Sequence, residues 1–140
     1  MHYIFVSHGD FAQSILESAQ MIVGEQTQVR AFGLYPNDDI TEFKEKIEGY
    51  LSKLNSEEII CFTDLFSGSP FNALVSLMGQ FQIQHVTGMN LPLILEAFVM
   101  RTATEFSKEE IVHKILEQSK EAIIDVNDYL ENKLIEGEQL

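Results

Sequence analysis

Short β-prone runs alternate with stretches of helical period along the chain, and this alternation constrains the fold more than any other feature. Residues 3–6, 28–34, 58–63 and 83–87 are rich in aromatic and β-branched side chains and are bounded by turn residues, as strands are. Between them apolar residues recur at helical spacing: Ala12, Ile15, Leu16, Ala19 and Ile22, then Ile40, Phe43, Ile47, Tyr50, Leu51 and Leu54. Phe71, Leu74, Val75 and Met78 supply the buried side of a third helix, and residues 91–100 form a fourth with little polar surface. Ile111, Ile115, Ala122 and Val126 mark a last amphipathic stretch. Boundary residues agree with these elements. Asp10 stands as an N-cap and Gly24 as a C-terminal glycine. Ser69 and Pro70 suit N-cap and N1, and residues 107–110 spell a capping box. Strands alternating with helices build right-handed βαβ units and a mainly parallel sheet covered on both faces.

The expected fold is a doubly wound α/β domain with four strands in the flavodoxin-like order 2-1-3-4 and helices on both faces. Residues 123–126 fit either the end of the last helix or an extra C-terminal strand. A chain of 140 residues and 15.9 kDa is the size of one domain. Residues 1–130 are expected to form it, with 131–140 as a polar tail. Hydrophobic residues at 45% supply a real core, so disorder is excluded. Nine basic against twenty-two acidic side chains leave a net charge of −13. Nucleic acid and anionic lipid are therefore poor partners, since both are bound by clustered Lys and Arg. The single cysteine, Cys61, allows no internal disulfide. With no long apolar run and no basic leader region at the N-terminus, the expected setting is cytoplasmic.

Ligands of such sheets sit beyond the carboxyl ends of the strands. Ser7, His8 and Gly9 follow strand 1; residues 64–69 follow strand 3; residues 88–91 follow strand 4. In the order 2-1-3-4, strands 1 and 3 are neighbours, so His8 and Asp64 should lie side by side. A carboxylate that accepts from one imidazole nitrogen fixes the tautomer and leaves the other as a nucleophile. Ser67, Gly68 and Ser69, with Pro70, add amide N–H groups and hydroxyls at the start of a helix, which favours an anion. Together these parts describe a site able to hold a phosphoryl group on His8.

The three segments, residues 6–9, 63–72 and 87–92, resemble the IIA component of mannose-family sugar phosphotransferase systems (PTS). The similarity runs over about residues 1–130 in the order and spacing of elements. In that family the histidine after strand 1 accepts a phosphoryl group from phospho-HPr and passes it to a IIB component. IIB then phosphorylates a sugar entering through a membrane IIC/IID pair. The resemblance implies that His8 is phosphorylated, that Asp64 orients it, and that Ser67, Gly68 and Ser69 surround the phosphoryl group. It gives Gly9, Thr63, Pro70, Asn72 and Asn90 supporting places, implies a homodimer, and calls for no metal or other cofactor. The family usually has two glycines where this chain has Ser67 and Gly68.

Other classes fit less well. The IIA-like subunit of dihydroxyacetone kinases, the second choice, has a serine after its histidine and lacks the Gly68–Asn72 stretch. A hydrolase could use His8, Asp64 and Ser69, but Ser69 is outside any G-x-S-x-G elbow and Pro70 has no N–H for an oxyanion hole. A regulatory module with the same fold would need no phosphorylation, so His8 would be expendable. Four scattered histidines give no metal-site spacing, and no phosphate-binding loop of the kinase type exists. His2, His85 and His113 are read as structural or solvated.

Overall fold

The computed structural model describes residues 1–55, 58–103 and 105–137. Its elements run β1 (His2–His8), α1 (Phe11–Val23), β2 (Val29–Leu34), α2 (Ile40–Leu51), β3 (Ile59–Thr63), α3 (Ser69–Val75), β4 (Gln84–Thr87), α4 (Leu91–Met100), α5 (Lys108–Ser119) and α6 (Val126–Ile135). The four strands are parallel and ordered β2-β1-β3-β4, as expected. In this register His8 pairs with Leu34 of β2, and Val6 pairs with Thr63 of β3. The end of β1 therefore meets the ends of both neighbours.

Alternate residues of each strand point to opposite faces, and each face has its own core. Tyr3, Phe5, Ile60, Phe62 and Val86 pack beneath α1, α4 and α5. Ile4, Val6, Phe32, Ile59 and Cys61 pack beneath α2 and α3. The first core is aromatic: Phe62 meets Tyr3 at 5.5 Å and Phe5 at 5.6 Å, both edge-on. Burying each such side chain contributes about 1.5–3 kcal/mol. Both faces being covered explains why the strands read as continuous apolar runs.

Several local expectations are corrected. Asp10 occupies the N-cap position but makes no capping bond; the Ala12 amide donates instead to Ser7 Oγ at 2.7 Å. Ser69 is the first residue of α3 and Gly68 its N-cap, one position earlier than expected. Val75 and Met78 are exposed, and Ala73, Leu74 and Leu77 take the buried positions. α3 ends at Val75, so Met78 lies beyond its helical period. Ile22 and Ile40 are likewise exposed.

The largest difference is at the C-terminal end. The Ser107–Glu110 capping box forms, but α5 stops at Ser119 rather than continuing through Ala122. Residues 123–126 make no strand; Asp125 caps α6 by accepting from the Asp128 amide. α6 crosses residue 130 and has no buried residue. Among the described residues, no helix is long and apolar enough to cross a membrane.

Candidate active site

His8 ends β1 with its side chain half exposed, and Asp64 follows β3 directly. Parallel pairing of the two strands brings the side chains into contact. Nδ1 of His8 lies 2.7 Å from Oδ2 of Asp64, and the same oxygen accepts the His8 amide N–H at 3.0 Å. The carboxylate thus grips both backbone and ring of one residue. It is itself largely buried, with 13% of its side chain exposed against 51% for His8. With Asp64 accepting, Nδ1 carries a proton, and Nε2 keeps its lone pair.

Gly68 closes one side of the ring. A Cβ built there would stand 2.9 Å from His8 Cε1 and 3.6 Å from Nε2, so only glycine lets the loop come this near. Ser67 sits at φ +66, in the left-handed region that glycine adopts freely. This gives a backbone reason for the family's usual second glycine. Leu65 to Gly68 form a hydrogen-bonded turn, with Ser67 in its left-handed position, and this turn delivers Gly68 to the ring. On the other flank Gly9, at φ +51, donates its amide to Leu34 O at 2.7 Å. Gly33 accommodates that turn, since a Cβ on it would lie 2.2 Å from the Gly9 oxygen.

The remaining expected residues fall into two groups. Ser69 and Gly9 line an open cleft of about 500 Å³ beside His8. Asn72 is exposed next to it, in a hollow that also holds Ser69 and Lys44. Thr63, Pro70 and Asn90 do not reach His8 by any described contact. Pro70 is buried in the first turn of α3. Asn90 caps α4, its Oδ1 accepting from the Leu93 amide at 3.0 Å. Thr63 is fully buried, with its hydroxyl 2.8 Å from both His85 Nε2 and Thr87 Oγ1.

The cleft also holds Leu34, Tyr35, Pro36, Asp38 and Ile40, which the reading of strand ends passed over by stopping at strands 1, 3 and 4. The signal was available, because β2 borders β1 and its carboxyl end had to join the same rim. The Tyr35 hydroxyl donates to Asp10, which raises its pKa above the usual phenol value. This is where Asp10 is engaged in place of capping α1.

The family profile described as PTS system fructose IIA component, EIIA-man, matches residues 2–116. The PTS system fructose-specific EIIA component of Bacillus subtilis (strain 168) is 28% identical over 130 residues, covering 91% of this chain and 88% of that one. The sorbose-specific EIIA component of Klebsiella pneumoniae is 36% identical over 97 residues, or 69% of this chain and 71% of its own. The crystal structure of phosphotransferase system component EIIA from Streptococcus agalactiae superposes with a TM-score of 0.82 at 28% identity, over 91% of this chain and 98% of that one. With its strand order, its paired His8 and Asp64 and these relatives taken together, the chain belongs to the mannose-family EIIA components of the sugar phosphotransferase system.

Proposed function

We propose that this chain is a phosphocarrier of a sugar phosphotransferase system, with His8 accepting the phosphoryl group from phospho-HPr and passing it to a IIB component. The observation that carries the reading is the 2.7 Å contact between His8 Nδ1 and the largely buried Asp64 carboxylate, on a ring otherwise open to a docking protein. Residues 1–130 constitute the carrier domain. By the same family resemblance it works in the cytoplasm as a homodimer and reaches the membrane IIC/IID pair only through IIB.

In the transfer, the lone pair on Nε2 of His8 attacks phosphorus in line with the nitrogen–phosphorus bond of phospho-HPr. The new Nε2–P bond forms as the old one breaks, and the departing electron pair returns to the donor's imidazole. The proton on Nδ1 stays between His8 and Asp64, so the phosphorylated ring faces a carboxylate that offsets its positive charge. Charge on the transferring group spreads over three oxygens, and positioned donors stabilise it more than covalent assistance does. The loop of Ser67, Gly68 and Ser69, with Gly68 against the ring and Ser69 in the same cleft, is assigned that role. The step consumes no nucleotide, because the donor is already a phosphohistidine.

Incubation with enzyme I, HPr and phosphoenolpyruvate tests this. The protein should take up one acid-labile, base-stable phosphate, transferable to a IIB protein and lost in His8→Ala. A biological effect that survives His8→Ala would favour a non-phosphorylated regulatory module. Ester hydrolysis abolished by Ser69→Ala, with no label on the protein, would favour a hydrolase.

A further inference from the structure

Beneath the loop formed by residues 64–68 lies a titratable group that the transfer step does not use. His85 is the second residue of β4, half-buried on the face covered by α3. Its Nε2 is 2.8 Å from the hydroxyl of Thr63, the last residue before Asp64. Its ring lies 5.0 Å from that of Phe71, three residues after Gly68, with the planes inclined at 42°. Phe71 in turn meets the exposed Phe66 of the loop at 5.1 Å. One imidazole therefore touches both ends of the segment that supplies Asp64 and Gly68, the two residues in contact with His8.

We propose that His85 is a positioning residue: it staples the two ends of the β3–α3 loop, through Thr63 on one side and Phe71 on the other, and so fixes Asp64 and Gly68 against the His8 ring. The inference rests on the carrier reading for its consequence and on geometry for its parts. The Thr63 hydroxyl has one proton, which it donates to Thr87 Oγ1 at 2.8 Å. Its oxygen then accepts from His85, which places the His85 proton on Nε2. Either protonation state of the ring could donate there, but a cation would be stripped of water without a facing carboxylate. Burial favours that neutral form, lowering the His85 pKa to about 4. A leucine or phenylalanine would fill the space but could not hold Thr63. The paired hydrogen bond and ring contact are what distinguish a staple from core filling.

The test uses ¹⁵N-labelled protein at neutral pH with three substitutions. In the unaltered chain His85 should show one neutral tautomer protonated at Nε2, and His8 a proton held on Nδ1. Thr63→Val and His85→Leu should disturb the His8 Nδ1–H signal and slow phosphorylation by phospho-HPr by on the order of ten- to a hundredfold, as a misplacement of about 1 Å does. His85→Gln, whose amide can again donate to Thr63, should recover part of the rate. Thr63→Val is close in size to the native residue and is the arm that preserves the fold. Rates and His8 signals within about twofold of the unaltered protein in folded Thr63→Val and His85→Leu would overturn the staple. The resonance measurement needs no phosphate. A protein that is never phosphorylated would therefore refute the carrier reading while that measurement still decides the staple.

Discussion

Gly68→Ala is the substitution that most sharply probes the site, because its cost is set by one contact. Gly68 has an ordinary extended backbone at φ −77, so alanine brings no conformational strain. Its Cβ would instead stand 2.9 Å from His8 Cε1, where ordinary contact begins at 3.4 Å. The ring or the loop must yield by roughly 0.5 Å, since close-packed atoms do not overlap. His8 cannot swing away freely, because Nδ1 is tied to Asp64 at 2.7 Å. A shift of that size should slow phosphorylation by about tenfold, given that misplacement by about 1 Å costs about a hundredfold. Stability should change little, by about 1 kcal/mol or less, because the imidazole is half exposed and the surface can relax. Stopped-flow or quenched transfer from phospho-HPr, beside a thermal melt, separates the two effects. A Gly68→Ala protein that is phosphorylated at the unaltered rate would refute the claim that Gly68 seats the ring. One that unfolds would show the glycine to be structural.

Three further outcomes follow from single observations. Asp64→Asn should leave the fold intact but release the tautomer of His8, lowering the transfer rate by on the order of a hundredfold or more; unchanged kinetics would remove Asp64 from the step. Ser67→Gly should stabilise the protein by about 1 kcal/mol, because Ser67 alone of the loop residues carries a side chain at positive φ, and urea unfolding reads this directly. His85 gives a pH dependence of stability. Its pKa is about 4 in the fold against an ordinary 6.5, so the unfolded chain binds the proton more readily. Its contribution is whole above pH 6.5 and is lost as pH falls towards 4. After allowance for its partial exposure, about 1 kcal/mol should vanish between pH 7 and pH 5 and be absent in His85→Gln.

The sheet was legible because both its faces are covered. Buried strands such as residues 59–63 show as unbroken apolar runs, and capping residues mark the helices between them. The pairing of His8 with Asp64 followed from strand order alone. Other features depend on tertiary contact that spacing does not encode. Asp10 fails as a cap because Ser7 Oγ takes the amide and the Tyr35 hydroxyl takes Asp10. Ser67 in place of glycine could either alter the loop or add a donor, and spacing does not show that its backbone is left-handed. The division of the last helix at residues 120–125 was hidden by apolar residues, Ile123 and Ile124, that remain exposed. His85 was read as structural or solvated, and its sequence neighbours say nothing of Thr63 or Phe71. β3–β4 pairing sets His85 beside Thr63, and α3 adds Phe71 from above.

The central claim is that Nε2 of His8 carries the phosphoryl group while Nδ1 stays with Asp64. Phosphorus–nitrogen coupling in histidine-labelled protein, phosphorylated through HPr, tests it most directly. The account predicts one phosphohistidine, residue 8, bonded through Nε2 and discharged by a IIB protein. A phosphate bonded through Nδ1, or held by any other residue, would contradict it.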